Sequence, residues 1–137
     1  MGKNPPKVVV DTNVLISAIL FGGNPRKILK LLAQHQISGI TSPILIVELM
    51  EILSKKFKFE AVKIILIDEL IKEEFTIVYP SLHLEVLRDS DDDRVLEAAI
   101  EGQAEYIVTG DRDLLELKKY QNVGIVTPAE FLLRIKG

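Results

Sequence analysis

Residues 7–15 read KVVVDTNVL: three consecutive valines, then an acid, then a run that suits a helix. An unbroken β-branched stretch marks a strand buried on both faces, the kind found in parallel sheets. Lys7–Asp11 is therefore expected as a first strand ending in a carboxylate, and Asn13–Leu20 as the helix that leaves it. Phe21, Gly22, Gly23 and Asn24 read as the loop that closes this helix.

The same pattern recurs outward from this point. Pro25 suits the first turn of a second helix running to about Gln36, and Ser38–Thr41 reads as a brief strand. Ser42 followed by Pro43 is an N-cap with proline at the first helical position, opening a helix to about Lys55. Glu60–Glu74 places Val62, Ile65, Leu66, Leu70 and Ile71 at helical spacing. Phe75–Tyr79 is a strand stopped by Pro80, and Asp91–Glu101 a helix. Glu105–Thr109 (EYIVT) and Val123–Thr127 are strands, with Asp111–Lys118 and Pro128–Ile135 as the helices that follow them. Helices alternating with short apolar strands predict an α/β fold, a three-layer sandwich whose central, mostly parallel twisted sheet is flanked by helices. One domain is expected over 1–137, with 1–6 as a flexible N-terminus; no repeat, low-complexity tract or linker interrupts it.

Bulk properties agree. A chain of 137 residues that is 47% hydrophobic can build one core, which argues against disorder. It has no cysteine, so disulfides and thiolate metal sites are excluded. Met1–Lys7 is polar and carries Pro5 and Pro6, unlike a signal peptide, and the apolar run Ile44–Met50 is already broken by Glu48. The expectation is a soluble cytoplasmic protein with no membrane partner. The net charge of −3 is unevenly spread: Lys3, Lys7, Arg26, Lys27 and Lys30 face the single acid Asp11 in the first thirty positions, whereas 85–116 is rich in acids.

In an open parallel sheet, ligands bind beyond the carboxyl ends of the strands. Asp11 ends the first strand and Asp111 lies two positions past Thr109. Taken singly, each also reads as a helix cap. Glu48 stands in a helix that is apolar almost all round, with Ile44 and Ile52 one turn away on either side. A carboxylate in such surroundings needs a partner, either a basic side chain from elsewhere or a cation. Arg88-Asp-Ser-Asp-Asp-Asp-Arg94 holds more acids than a helix cap needs, and Asp93 starts a helix of small residues suited to close packing on the sheet. Asp11, Glu48, Asp93 and Asp111 thus come from four parts of the chain toward one rim. Several carboxylates at close quarters cannot all stay ionised without a cation. An all-oxygen set favours Mg²⁺ or Mn²⁺, whose natural work there is phosphodiester hydrolysis by activating water and stabilising developing charge.

Four motifs in order, V-V-V-D-T-N-V-L (8–15), S-P-x-x-x-x-E (42–48), D-D-x-x-L-E-A-A (92–99) and V-T-G-D-R-D-L (108–114), resemble the PIN domain, in particular the VapC-like toxins of prokaryotic toxin–antitoxin systems. The resemblance covers nearly the whole chain. It implies metal-binding and catalytic acids at Asp11, Glu48, Asp93 and Asp111, with Asp113 as a fifth; Asp92 is the rival to Asp93, because the run of aspartates leaves the register open. It further implies that Thr109 and Asn13 orient ligands and water. Endonucleolytic cutting of single-stranded RNA, a dimeric state and inhibition by a cognate antitoxin follow from the same resemblance.

Basic runs at Arg26, Lys27 and Lys30 and at Lys55, Lys56, Lys58 and Lys63 suit an RNA backbone, and equally a solvated helix face. Glu60–Glu74, preceded by Phe57 and Phe59, is an amphipathic arm for the core or for a dimer or antitoxin surface. Two other classes stay in view. One is a PIN-like scaffold that binds RNA or protein without cutting, which the loss of a site acid would favour. The other is an Mg²⁺-dependent phosphotransfer domain. A receiver domain, however, needs a lysine where Gly110-Asp111-Arg112 stands, and the phosphatase pattern D-x-D-x-T is absent after Asp11.

Overall fold

Val8, Val9 and Val10 point alternately to the two sides of a sheet, and this alternation divides the protein into its layers. The computed structural model describes residues 4–136, so the expected flexible segment 1–6 lies partly outside the described residues. The first half runs β1 (Lys7–Val10), α1 (Thr12–Leu20), α2 (Gly23–Ala33), β2 (Ser38–Thr41), α3 (Pro43–Lys55), α4 (Ala61–Glu74) and β3 (Phe75–Ile77). The second half runs α5 (Ser90–Glu101), β4 (Tyr106–Val108), α6 (Arg112–Leu117), β5 (Lys119–Tyr120), β6 (Val123–Val126) and α7 (Pro128–Lys136). Strand order is β3-β2-β1-β4-β6-β5, with every neighbouring pair parallel except β5–β6. This is the α/β sandwich that the alternation of helices and strands predicted.

Val8, Val10, Val108 and Val126 face a core with α1, α2, α3, α4 and Phe131 of α7. Val9, Ile40, Ile107 and Ile125 face the opposite core, filled by α5 and α6. Fully buried Leu49, Leu53, Ile28 and Phe131 anchor the first layer, and each such side chain contributes roughly 1.5–3 kcal/mol. Gly39 on β2 is required by packing: a Cβ there would lie 2.6 Å from the Phe75 ring.

Three details depart from the sequence reading. Lys119–Tyr120 is an edge strand in a tight hairpin, with Gln121 at φ 52°. Its two residues and glycine-free turn carry no legible signal. The second helix begins at Gly23, ahead of Pro25, after Gly22 turns the chain at φ 90°. On α4 only Ile71 is buried; Val62, Ile65, Leu66 and Leu70 are more than half exposed, so most of the arm's apolar side is open. No helix among the described residues is long and apolar enough to cross a membrane.

Candidate metal centre

The strand order reverses between β1 and β4, and there the crevice beyond the carboxyl ends opens. Asp11 leaves β1 at the N-cap of α1 without making a side-chain capping bond. Its Oδ2 instead accepts a hydrogen bond from the Thr109 hydroxyl, 2.7 Å away at the end of β4. The Thr109 Oγ1 in turn accepts the Asp111 amide at 2.9 Å. Asp111 caps α6, its Oδ1 accepting from the Leu114 amide at 3.2 Å, so capping and site placement coincide in this residue.

Glu48, half-buried on α3, accepts the Thr12 hydroxyl at 2.6 Å. Thr12 directly follows Asp11, so the first strand-to-helix turn positions two acids at once. The sequence reading passed over Thr12, although its place within D-T-N was the available signal. The charges that bear on Glu48 are those of Asp91, Asp11 and Asp89, all negative, and no basic side chain pairs with it among the described residues.

Helix geometry sends the aspartates at 91–93 in different directions. Asp89 is the N-cap of α5, accepting the Asp91 amide at 2.9 Å, so all three aspartates fall in the first turn. Successive side chains there diverge by about 100°. Asp91 is exposed. Asp93 is engaged elsewhere: its Oδ1 accepts the Val86 and Leu87 amides at 3.1 and 2.9 Å. Asp92 turns inward, and its carboxylate joins those of Asp111 and Asp113, one oxygen from each lying within 4.8 Å of the others. Of the two rivals, Asp92 is the one whose carboxylate lies with that of Asp111, while the Val86 and Leu87 amides engage Asp93.

Farther along α5, buried Glu97 accepts the Leu84 amide at 2.7 Å and pairs with Arg94 at 2.7 Å, while Arg94 donates to the Leu84 carbonyl at 3.0 Å. The irregular segment before α5 is therefore clamped along its length by that helix.

Electrostatics mark the cluster as one unit. Burial pushes the Asp92 carboxyl up to about 7, helped by repulsion from Asp111, Asp89, Asp11 and Asp113. Burial also raises Asp11, offset in part by the Thr109 hydroxyl and the Thr12 amide. Glu48 is raised for the same first reason, with the Thr12 bond opposing it. The basic group recorded against the cluster is Arg88, 3.6 Å from Asp113 and almost wholly exposed. Buried carboxylates held this close with so little compensation fit a hard divalent cation.

The other expected residues are placed as follows. Asn13 is exposed beside the cluster on α1. Arg26 donates to the Ala18 and Ile19 carbonyls at 2.9 and 3.2 Å, satisfying the end of α1 instead of facing the crevice. Lys27 lines a cleft of about 640 Å³ between α2 and α7, which also includes Pro6 before β1 and, among the described residues, no acidic side chain. Lys55 pairs with Glu51 at 3.4 Å, and Lys56 lies 5.6 Å from the centre of the Phe57 ring. None of these four is brought to the acids.

The chain is 35% identical to an uncharacterised protein, MJ1680, of Methanocaldococcus jannaschii, over 96% of this chain and 93% of that one. The crystal structure of PAE2754 from Pyrobaculum aerophilum superposes with a TM-score of 0.61 at 16% identity, covering 99% of this chain and 98% of the other. VapBC2 from Rickettsia felis, solved bound to a DNA fragment from its promoter, gives 0.59 at 19% identity, covering 87% and 96%. The family model described as the PIN domain matches residues 7–113, a span that contains every acid of the cluster, and the chain belongs to the PIN domain family.

Proposed function

We propose that this protein is a divalent-metal-dependent endoribonuclease that hydrolyses single-stranded RNA, and that it is the toxin of a toxin–antitoxin pair. The observation that carries the reading is the convergence of Asp92, Asp111 and Asp113 beside Asp11 at the switch point of the sheet. Asp11, Asp92 and Asp111 would hold Mg²⁺ or Mn²⁺, with Glu48 and Asp113 at the margins. When bound, the ion supplies an activated water and charge stabilisation on the phosphate. The chain's own part is preorganisation: Thr109 orients Asp11, Thr12 orients Glu48, and the helix cap at Asp111 fixes its rotamer.

An antitoxin chain is the proposed inhibitor, and a homodimer the proposed assembly. Support comes from the similarity to a VapBC2 structure and from the open apolar side of α4; Ile44 and Val47 of α3 are exposed as well. Large apolar side chains left open along one helix suit a protein contact. The non-cutting scaffold is less favoured because each acid that the motifs call for is present. The phosphotransfer alternative is disfavoured by membership of the PIN family.

The deciding experiment is cleavage of a mixed-sequence single-stranded RNA with Mn²⁺ or Mg²⁺, against EDTA and the Asp11→Asn variant. Cutting lost in both controls is the expected result. Protein that binds metal yet cuts no RNA points to the scaffold, and failure to bind metal ends the proposal.

A further inference from the structure

A second cavity shares one wall with the acid cluster. It is a cleft of about 380 Å³, bounded by α1, the turn after β4 and the start of α7, and Asp111 belongs to both. Its volume is in the range of small-ligand sites, roughly 300–1,000 Å³. Its lining is mixed. Asn13 offers an amide and Ser17 a hydroxyl, Arg112 brings a guanidinium, and Pro25 and Pro128 supply apolar faces. Arg112 forms no ion pair among the described residues, whereas Arg88 and Arg94 pair with Asp113 and Glu97. Gly110 also lines the cleft, and a Cβ there would meet nothing within 4 Å, so a larger side chain has room at this position.

We infer that this cleft binds one nucleotide of the RNA strand, the neighbour of the phosphate that is cut. The inference rests on the nuclease reading and extends it to a substrate subsite. A strand whose scissile phosphate lies at Asp111 must place an adjoining residue beside that side chain, and the cleft begins there. The chemistry matches what a nucleotide presents. An exposed guanidinium suits the next phosphate, the Asn13 amide donates and accepts as a base edge does, and the proline rings offer apolar contact to the base. Asp111 is the sole acid of this lining, so an anionic chain is repelled less here than at the cluster itself.

The test uses the full chain and two probes. In ¹⁵N-labelled protein with Mg²⁺, uridine and adenosine 5′-monophosphates at millimolar concentration are expected to shift the Gly110 and Arg112 amides and the Asn13 side-chain amide. Gly110→Leu fills the cleft from an open backbone position and is expected to abolish those shifts. With RNA, Gly110→Leu and Arg112→Ala are each expected to raise KM about tenfold, and Gly110→Leu to change the distribution of cut sites. Shifts confined to other regions, or an unchanged KM and cut pattern in Gly110→Leu, overturn the subsite. Wild-type protein that shows the nucleotide shifts but cuts no RNA removes the nuclease reading and retains the binding site. Cutting without those shifts does the reverse.

Discussion

Thr109 donates its hydroxyl to the Asp11 carboxylate at 2.7 Å, joining the ends of β1 and β4 across 98 positions of chain. Both residues are buried, and the same hydroxyl oxygen accepts the amide of Asp111. One threonine therefore fixes two acids of the cluster relative to each other. Thr109→Val keeps the shape but removes the donor, leaving a buried carboxylate less compensated. We expect a loss of about 1–3 kcal/mol in stability and at least tenfold weaker Mn²⁺ binding, with Thr109→Ser restoring both. Calorimetric titration with Mn²⁺ checks this; wild-type affinity in Thr109→Val would show that the bond positions nothing.

Metal-free protein should lose stability as pH rises toward neutrality. Asp92 is raised from 3.8 to about 7, and Asp11 and Glu48 are raised as well. Between those values the folded state holds protons that the unfolded chain has released, so unfolding becomes easier with increasing pH. The expected Tm of metal-free protein therefore falls from pH 5 to pH 8, and Asp92→Asn flattens the slope. Mn²⁺ removes the cost by pairing with the ionised acids, so its stabilising effect should grow over the same interval. A Tm that rises steadily with pH in EDTA would contradict the electrostatic picture.

Neighbouring aspartates should behave as opposites. Asp92→Asn removes an ionised group from a repulsive cluster and is expected to keep or raise metal-free stability while weakening Mn²⁺ binding strongly. Asp93→Ala strands the Val86 and Leu87 amides and should cost about 2–3 kcal/mol, with a smaller effect on metal affinity. Denaturant melts and Mn²⁺ titration of both proteins separate the roles, and a larger metal defect at Asp93 would reverse them.

Gly39→Ala probes the sheet itself. The added methyl would sit 2.6 Å from the buried Phe75 ring and 3.0 Å from Leu32. Overpacking of this kind costs typically 1–3 kcal/mol. Urea denaturation should show the loss, and an unchanged midpoint would mean that Phe75 moves aside freely.

Much of this protein is determined by local pattern. The valines of β1, the apolar run of β4 and the serine–proline start of α3 each name an element from a few residues, because strand burial and helix initiation are short-range effects. Asp11 and Asp111 are legible at the strand ends for the same reason, and Glu48 is conspicuous on an apolar helix. Only the tertiary structure decides what those side chains meet. Asp92 and Asp93 are alike in sequence and differ by one helical step, yet one joins Asp111 and Asp113 while the amides of the loop just before the helix capture the other. Arg26 reads as a surface cation until the end of α1 is placed beside it, and α4 reads equally as a core helix or a contact surface until the fold buries only Ile71. Direction along a helix or strand is set by the residues nearest in sequence. Partnership is set by whichever donors, acids and cavities the fold brings within a few ångströms, whether from a neighbouring loop, as for Asp93, or from 98 positions away, as for Asp11 and Thr109.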